Sequence, residues 1–157
     1  MSEAPQRRLR PAARIIVLGP GDKVLLFRYV TSTYPPFWIL PGGEAEAGED
    51  YPEAAARELA EETGIVTSLS HTGTILEADY EYRGEPVRSV EHFFWCRVQN
   101  LGVNTKGHTA LEREVMQEYR WFEPAEFMGW GETIYPLDLT GIVRAVRQRE
   151  GAHRSEK

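Results

Sequence analysis

The reading turns on the stretch Gly43-Glu44-Ala45-Glu46-Ala47-Gly48-Glu49-Asp50-Tyr51-Pro52-Glu53-Ala54-Ala55-Ala56-Arg57-Glu58-Leu59-Ala60-Glu61-Glu62-Thr63-Gly64-Ile65. Asp50 has a side chain that caps helices, Pro52 suits a first turn, and Gly64 suits the position just past a helix end. The spacing therefore predicts a helix over Tyr51 to Thr63. On it, Glu58, Glu61 and Glu62 stand at i, i+3 and i+4 and share roughly a 100° arc of one face. Each like-charged pair at that spacing costs on the order of 0.2–0.5 kcal/mol, and the last turns of a helix disfavour anions further. One reading is a solvated acidic face with Arg57 paired to Glu53 or Glu61. The other is a cation site, because three hard oxygen donors with no histidine or thiol nearby suit magnesium or manganese, and an ion relieves the repulsion. Gly42-Gly43, just ahead, lets the main chain come close to an ion or a phosphate.

Outward from this stretch the pattern alternates between strands and helices. Ala12 to Gly19 reads as a buried strand, Gly19 to Asp22 as a turn and Lys23 to Val30 as a second strand, together a hairpin. Phe37 to Leu40 is a short run after the Pro35-Pro36 break, followed by a loop to Asp50. Ile65 to Tyr82 and Pro86 to Val98 read as long strands joined across Arg83-Gly84. Asn100 to Thr109 is a polar loop, Val115 to Phe122 a strand, and Pro124 to Met128 a short helix start. Pro136 to Arg149 closes the chain as an amphipathic helix with Leu137, Ile142, Val143 and Val146 as its buried stripe. This order predicts an α/β protein with a mixed sheet between helical layers. Residues 1–10 and 151–157 are expected to be flexible tails around a single domain of residues 11–150.

Bulk composition narrows the function classes. The chain has 157 residues, 41% hydrophobic and 27% charged, enough for one domain with a core of its own. Its apolar runs are too short for a membrane span, and no signal-peptide core follows the arginines near the N-terminus, so the cytoplasm is expected. Cys96, the single cysteine, sits in an apolar strand-like run and reads as core filler. The four histidines, His71, His92, His108 and His153, lack metal-ligand spacing, which argues against zinc. A net charge of −6 disfavours stable nucleic-acid binding and repels free polyphosphate, so an anionic substrate requires a mediating cation. The sequence leaves the oligomeric state, a homodimer included, open.

Gly43, five residues, Glu49, seven residues, then Arg57-Glu58-Leu59-Ala60-Glu61-Glu62-Thr63-Gly64-Ile65 resembles the Nudix box at every specified position, and Trp38 to Gly43 is similar to that family's lead-in. The resemblance implies an α/β/α sandwich. It implies a Mg2+- or Mn2+-dependent pyrophosphohydrolase in which water attacks phosphorus in a nucleoside diphosphate linked to another group. It also implies that Glu58, Glu61, Glu62 and the Gly42 carbonyl bind the metal, with Arg57 and Glu49 orienting them. Glu61 is the first choice as general base, and Glu112, Glu114 and Glu118 are alternatives supplied from outside the box.

Specificity in that family lies outside the box. Arg28 is a candidate phosphate contact, and Tyr34, Phe37, Phe93, Trp130 and Tyr135 are candidate surfaces for stacking a base. Tyr80 and Tyr82 fall fifteen and seventeen residues beyond the box, a distance similar to a tyrosine marker of dinucleoside polyphosphate hydrolases. The proline expected of an ADP-ribose hydrolase at about that distance is absent. A MutT-type nucleoside triphosphate pyrophosphatase and a non-catalytic nucleotide sensor are the remaining alternatives, although three unneutralised glutamates on one face argue against a pure sensor.

Overall fold

Along strand β1 (Arg8–Leu18) side chains alternate between two buried environments: Ile16 and Leu18 enter one apolar cluster, Ala13, Ile15 and Val17 the other. A strand buried on both faces reads as a nearly continuous apolar run, and this one does from Ala12 onward, interrupted only by the buried Arg14. β1 is central to the sheet of a computed structural model that describes residues 6–155.

The other strands are β2 (Val24–Tyr29), β3 (Phe37–Ile39), β4 (Gly42–Glu44), β5 (Ser70–Tyr82), β6 (Glu85–Arg97), β7 (Met116–Phe122) and β8 (Thr133–Tyr135). They lie in the order β5-β6-β1-β2-β3-β8, with β4 also paired to β1 and β7 to β2. β1 runs parallel to β6 and β3 parallel to β8, while the other pairs are antiparallel, so the sheet is mixed. Helix α1 (Tyr51–Thr63) covers one face through Ala54, Ala55 and Leu59; α3 (Leu139–Ser155) covers the other through Leu139, Ile142, Val143 and Val146. The result is the α/β/α sandwich. A third helix, α2 (Ala110–Val115), leads directly into β7. Cys96 is buried in the α1-side cluster, where burial pushes its thiol up to about 12, so it packs as an inert small side chain.

The structure corrects several boundaries. β1 starts at Arg8, so residues 8–10 of the expected N-terminal tail pair with Val87 to Ser89; Met1 to Pro5 lie outside the described residues. Charged residues enter the sheet here because each finds a partner: Arg8 bonds Glu85 and Glu44, and Arg10 bonds the Tyr80 hydroxyl. The last helix runs to Ser155, into the expected C-terminal tail, and residues 156 and 157 lie outside the described ones. Ile65 to Leu69 precede β5 rather than belonging to it, and Gly42 to Glu44 form a strand where a loop was expected. Leu137 is 83% exposed because it lies before the helix begins, outside the helical register; Leu139, 2% exposed, takes the buried place. Among the described residues no helix is long and apolar enough to cross a membrane.

Candidate active site

Helix α1 is closed at both ends by local chemistry. The Asp50 carboxylate accepts from the Glu53 N–H at 2.8 Å and the Glu53 carboxylate accepts from the Asp50 N–H at 3.1 Å, a reciprocal capping box. At the other end the Gly64 N–H donates to the Ala60 carbonyl at 2.9 Å. Two further carbonyls of the last turn are met by a distant loop: Asn104 N–H donates to Thr63 O at 2.9 Å and buried His108 Nε2 to Glu62 O at 2.8 Å. That loop then starts α2 with a second capping box between Thr109 and Glu112. Glu112 is thereby carried to the glutamates of α1.

Glu58, Glu62 and Glu112 each place a carboxylate oxygen within 4.8 Å of the others, the one group of at least three metal-ligating side chains among the described residues. Glu62 is 1% exposed and Glu58 8%. Glu62 Oε2 accepts from the Gly42 N–H at 3.0 Å, whereas its Oε1 is buried with no hydrogen-bond partner among the described residues. Burial, and then the neighbouring Glu58 carboxylate, push the Glu62 carboxyl well above its ordinary value. A buried carboxylate with one unpartnered oxygen, grouped with two further carboxylates, fits a hard divalent cation, which needs oxygen donors and cancels their repulsion. The glycines make the approach possible. Gly42 has φ 144°, and a Cβ there would run into the Ala13 carbonyl oxygen; a Cβ on Gly43 would stand 2.8 Å from Glu58 Oε1.

Arg57 lies between the loop and the helix. Its Nε and Nη2 donate to both oxygens of Glu49 at 2.8 and 2.9 Å, and Nη1 donates to Glu58 at 3.1 Å and Glu61 at 3.2 Å. Nη2 also donates to the Glu44 carbonyl at 3.1 Å. The Arg57 fork holds the Glu49 carboxyl below the usual range. Glu61 is thus turned toward Arg57 and stands apart from the group formed by Glu58, Glu62 and Glu112. Burial raises its carboxyl; Arg57 opposes the shift, and the Glu58 and Glu112 charges reinforce it.

With that geometry in place, comparison with known proteins adds the ancestry. The model of the NUDIX domain matches residues 8–138. The chain belongs to the Nudix family. It is 42% identical over 132 residues to an RNA pyrophosphohydrolase of Pelagibacter ubique, covering 73% of this chain and 77% of that protein. It is 31% identical over 117 residues to an RNA pyrophosphohydrolase of Dinoroseobacter shibae, covering 65% of this chain and 68% of that one. Other curated relatives, named for 8-oxo-dGTP and for ADP-ribose, are matched over half of their length or less. A MutT Nudix hydrolase from Burkholderia pseudomallei shares the fold, with a TM-score of 0.67 at 17% identity over 89% of this chain and 99% of that one. The chain is therefore a hydrolase of phosphoanhydride bonds, the activity its curated relatives have in common.

The other sequence candidates of this Nudix chain are engaged elsewhere. Arg28 forks onto Glu132 at 2.8 and 2.9 Å, with Glu118 at 3.6 Å, and Trp38 Nε1 donates to the same Glu132 at 2.9 Å. Glu132 is held at about 2 by these bonds, first by Arg28 and then by Trp38. The exposed Tyr34 hydroxyl meets the Glu81 backbone, and the Tyr82 ring lies under the guanidinium groups of Arg10 at 4.3 Å and Arg83 at 5.2 Å. Phe93 and Trp130 belong to the α3-side core, whereas Phe37 packs against Tyr29 and Tyr135. Sequence reading missed two features of the candidate site, the α2 helix that delivers Glu112 and the His108 contact. The signal for the first is Thr109-Ala-Leu-Glu112, a capping-box spacing; His108 carries no signal of its own.

Proposed function

We propose that Glu58, Glu62 and Glu112, with the Gly42 carbonyl, hold Mg2+ or Mn2+, and that Glu61 receives the proton of the attacking water. The buried Glu62 Oε1 without a partner carries this reading. A bound ion supplies charge neutralisation at the phosphoryl oxygens and acidifies water. In the reaction a bond forms between the water oxygen and phosphorus, the bridging P–O bond breaks, its electron pair leaves with the departing phosphate, and the water proton passes to Glu61. A raised carboxyl is better matched to that task than an ordinary one. Arg57 fixes the directions of Glu58 and Glu61, and Glu49 fixes Arg57, as outer groups do for metal ligands.

The substrate is a nucleoside carrying a diphosphate linked to a further group. Dinucleoside polyphosphates, nucleoside triphosphates and 5′-triphosphorylated RNA are its candidate classes, the last because the relatives from Pelagibacter ubique and Dinoroseobacter shibae are named for RNA. A panel of these, with ADP-ribose, incubated with Mg2+ or Mn2+ in heavy-oxygen water tests the proposal. The expected result is label in a phosphate product, with activity abolished by chelator. Label on carbon, or full activity in chelator, overturns it. Tight binding of one panel member without turnover favours the sensor instead.

A further inference from the structure

Among the buried charges, Arg10 and Arg14 take no part in the chemistry above, and Arg14 is the one that bonds the turn before Gly42. Arg14 lies in β1 among Ala12, Ala13, Ile15 and Ile16, each 0% exposed, and is itself 6% exposed. A guanidinium is costly to bury, and an aliphatic residue would fill the place without that cost. We propose that Arg14 is a positioning residue for the carboxylate site, clamping the Leu40-Pro41-Gly42 turn whose Gly42 N–H holds the buried Glu62 carboxylate. This inference rests on the reading of Glu58, Glu62 and Glu112 as a metal site.

Two bonds of the Arg14 side chain differ in kind. Its Nε donates to Glu91 Oε2 on β6 at 2.8 Å, which answers its charge. Its Nη1 donates to the Leu40 carbonyl at 3.1 Å, which the charge alone does not require. The next residue of β1 repeats the grip on the next residue of the turn, because the Ile15 N–H donates to the Pro41 carbonyl at 2.9 Å. Proline has no N–H, so the turn cannot fasten itself by backbone donation at that point. Gly42 follows, in register with Arg14, and its N–H holds Glu62 Oε2 at 3.0 Å. Two adjacent β1 residues thus fix two adjacent carbonyls, and the third residue of the turn fixes the buried carboxylate.

Arg14 also lies near charged and titratable groups from three other elements. The groups that face it are Glu91 from β6, Tyr29 from β2 and Glu62 from α1.

The test is Mn2+ binding to the full chain, read from the resonance of free Mn2+, together with kcat and KM at saturating Mn2+. Wild type and Glu62→Gln come first. No Mn2+ site in the wild type overturns the metal reading itself. Where the wild type binds and Glu62→Gln does not, Arg14→Met is expected to bind Mn2+ about 10–100-fold more weakly, the range for outer groups that orient ligands. Its kcat should fall while KM for the nucleotide changes little. Arg14→Lys keeps the charge without the fork and should be intermediate, about tenfold weaker. Glu91→Gln leaves the Leu40 bond in place and should hold Mn2+ within about threefold of wild type. Arg14→Met with a lowered melting point but wild-type Mn2+ affinity and kcat overturns the proposal and makes Arg14 merely structural. Should Arg14→Met not fold, wild-type Mn2+ affinity in Arg14→Lys overturns it by the same criterion.

Discussion

Two clusters of charge in this molecule are built on opposite terms. Around Arg97, one guanidinium donates to Asp22 at 2.6 Å, to Glu150 at 2.6 and 2.8 Å and to the Gly19 carbonyl at 3.2 Å, while Arg147 takes the other oxygen of Asp22 at 2.8 Å. Two carboxylates meet two guanidinium groups, and the cluster ties β6 and α3 to the turn before β2. Around Glu62 the count is uneven. Arg57 serves Glu49, Glu58 and Glu61 together, while the Glu62 carboxylate accepts from the Gly42 backbone N–H and has no salt bridge among the described residues. The two clusters differ in charge balance. A balanced cluster is complete as folded, whereas an unbalanced buried one stores repulsion that a divalent cation removes. Imbalance, more than acidity, distinguishes the site.

The comparison breaks most visibly at the reacting centre. Glu61→Gln should lower kcat by about 10²–10⁴-fold, the range for a lost general base, with little change in KM. A loss below about tenfold would remove Glu61 from proton transfer. Arg57→Lys keeps one positive charge but cannot fork onto Glu49 while reaching Glu58 and Glu61, so a fall in kcat of about 10–100-fold is expected from steady-state kinetics. An unchanged kcat would mean that the Arg57 bonds are ordinary surface pairs.

Thermal unfolding compares the two clusters directly. Mg2+ at a hundredfold excess over its Kd should stabilise the wild type by about 2.7 kcal/mol, and Glu62→Gln should lose most of that gain. In chelator Glu62→Gln should be at least as stable as the wild type, because a buried charge and its repulsion are gone. Arg97→Met should behave in the contrary way, losing roughly 2 kcal/mol with or without Mg2+ because charge-assisted bonds are broken. Its response to Mg2+ should equal that of the wild type. If both variants respond to Mg2+ alike, the distinction between the clusters fails.

Much of this was legible in the sequence because it is local. The cap at Asp50, the stop at Gly64 and the face shared by Glu58, Glu61 and Glu62 follow from spacing within one helix. What escaped depends on pairing across the chain. Glu112 was one of three acidic residues without a decided role, and only the Asn104 and His108 bonds to the end of α1 select it. The same limit divides Glu61 from Glu62: both lie on the acidic face, yet the loop carboxylate of Glu49 and the position of Arg57 turn one outward, while Gly42 holds the other inward. Arg28, read as a phosphate contact, is matched by Glu132 from far along the chain, and Leu137 lost its place in the core because the helix start could not be fixed to the residue. Gly42 to Glu44 looked like a loop because a three-residue strand of Gly-Gly-Glu has no strand pattern; its pairing comes from β1.

The smallest expected effect concerns pH in the absence of metal, and its sign separates the two sides of α1. Glu62 has a folded-state carboxyl raised above its unfolded value, mainly by burial and then by Glu58, so it contributes stability that is fully present below the unfolded value of about 4.5 and lost as pH rises through the folded one. Glu49, lowered by Arg57, has the opposite sign: its contribution is present above the unfolded value and lost as pH falls through the folded one. Whole-protein stability mixes these terms, so the quantity to measure is the difference between wild type and Glu62→Gln in chelator. That difference should move against the wild type as pH is raised from about 4.5 towards neutrality. Saturating Mg2+ should reverse the slope, since an ion binds the ionised carboxylate and protons then compete with it. A difference that stays flat across this range in chelator would mean that Glu62 titrates alike folded and unfolded. Its burial would then carry no charge penalty, and the imbalance that sets this cluster apart from the one around Arg97 would have no energetic content.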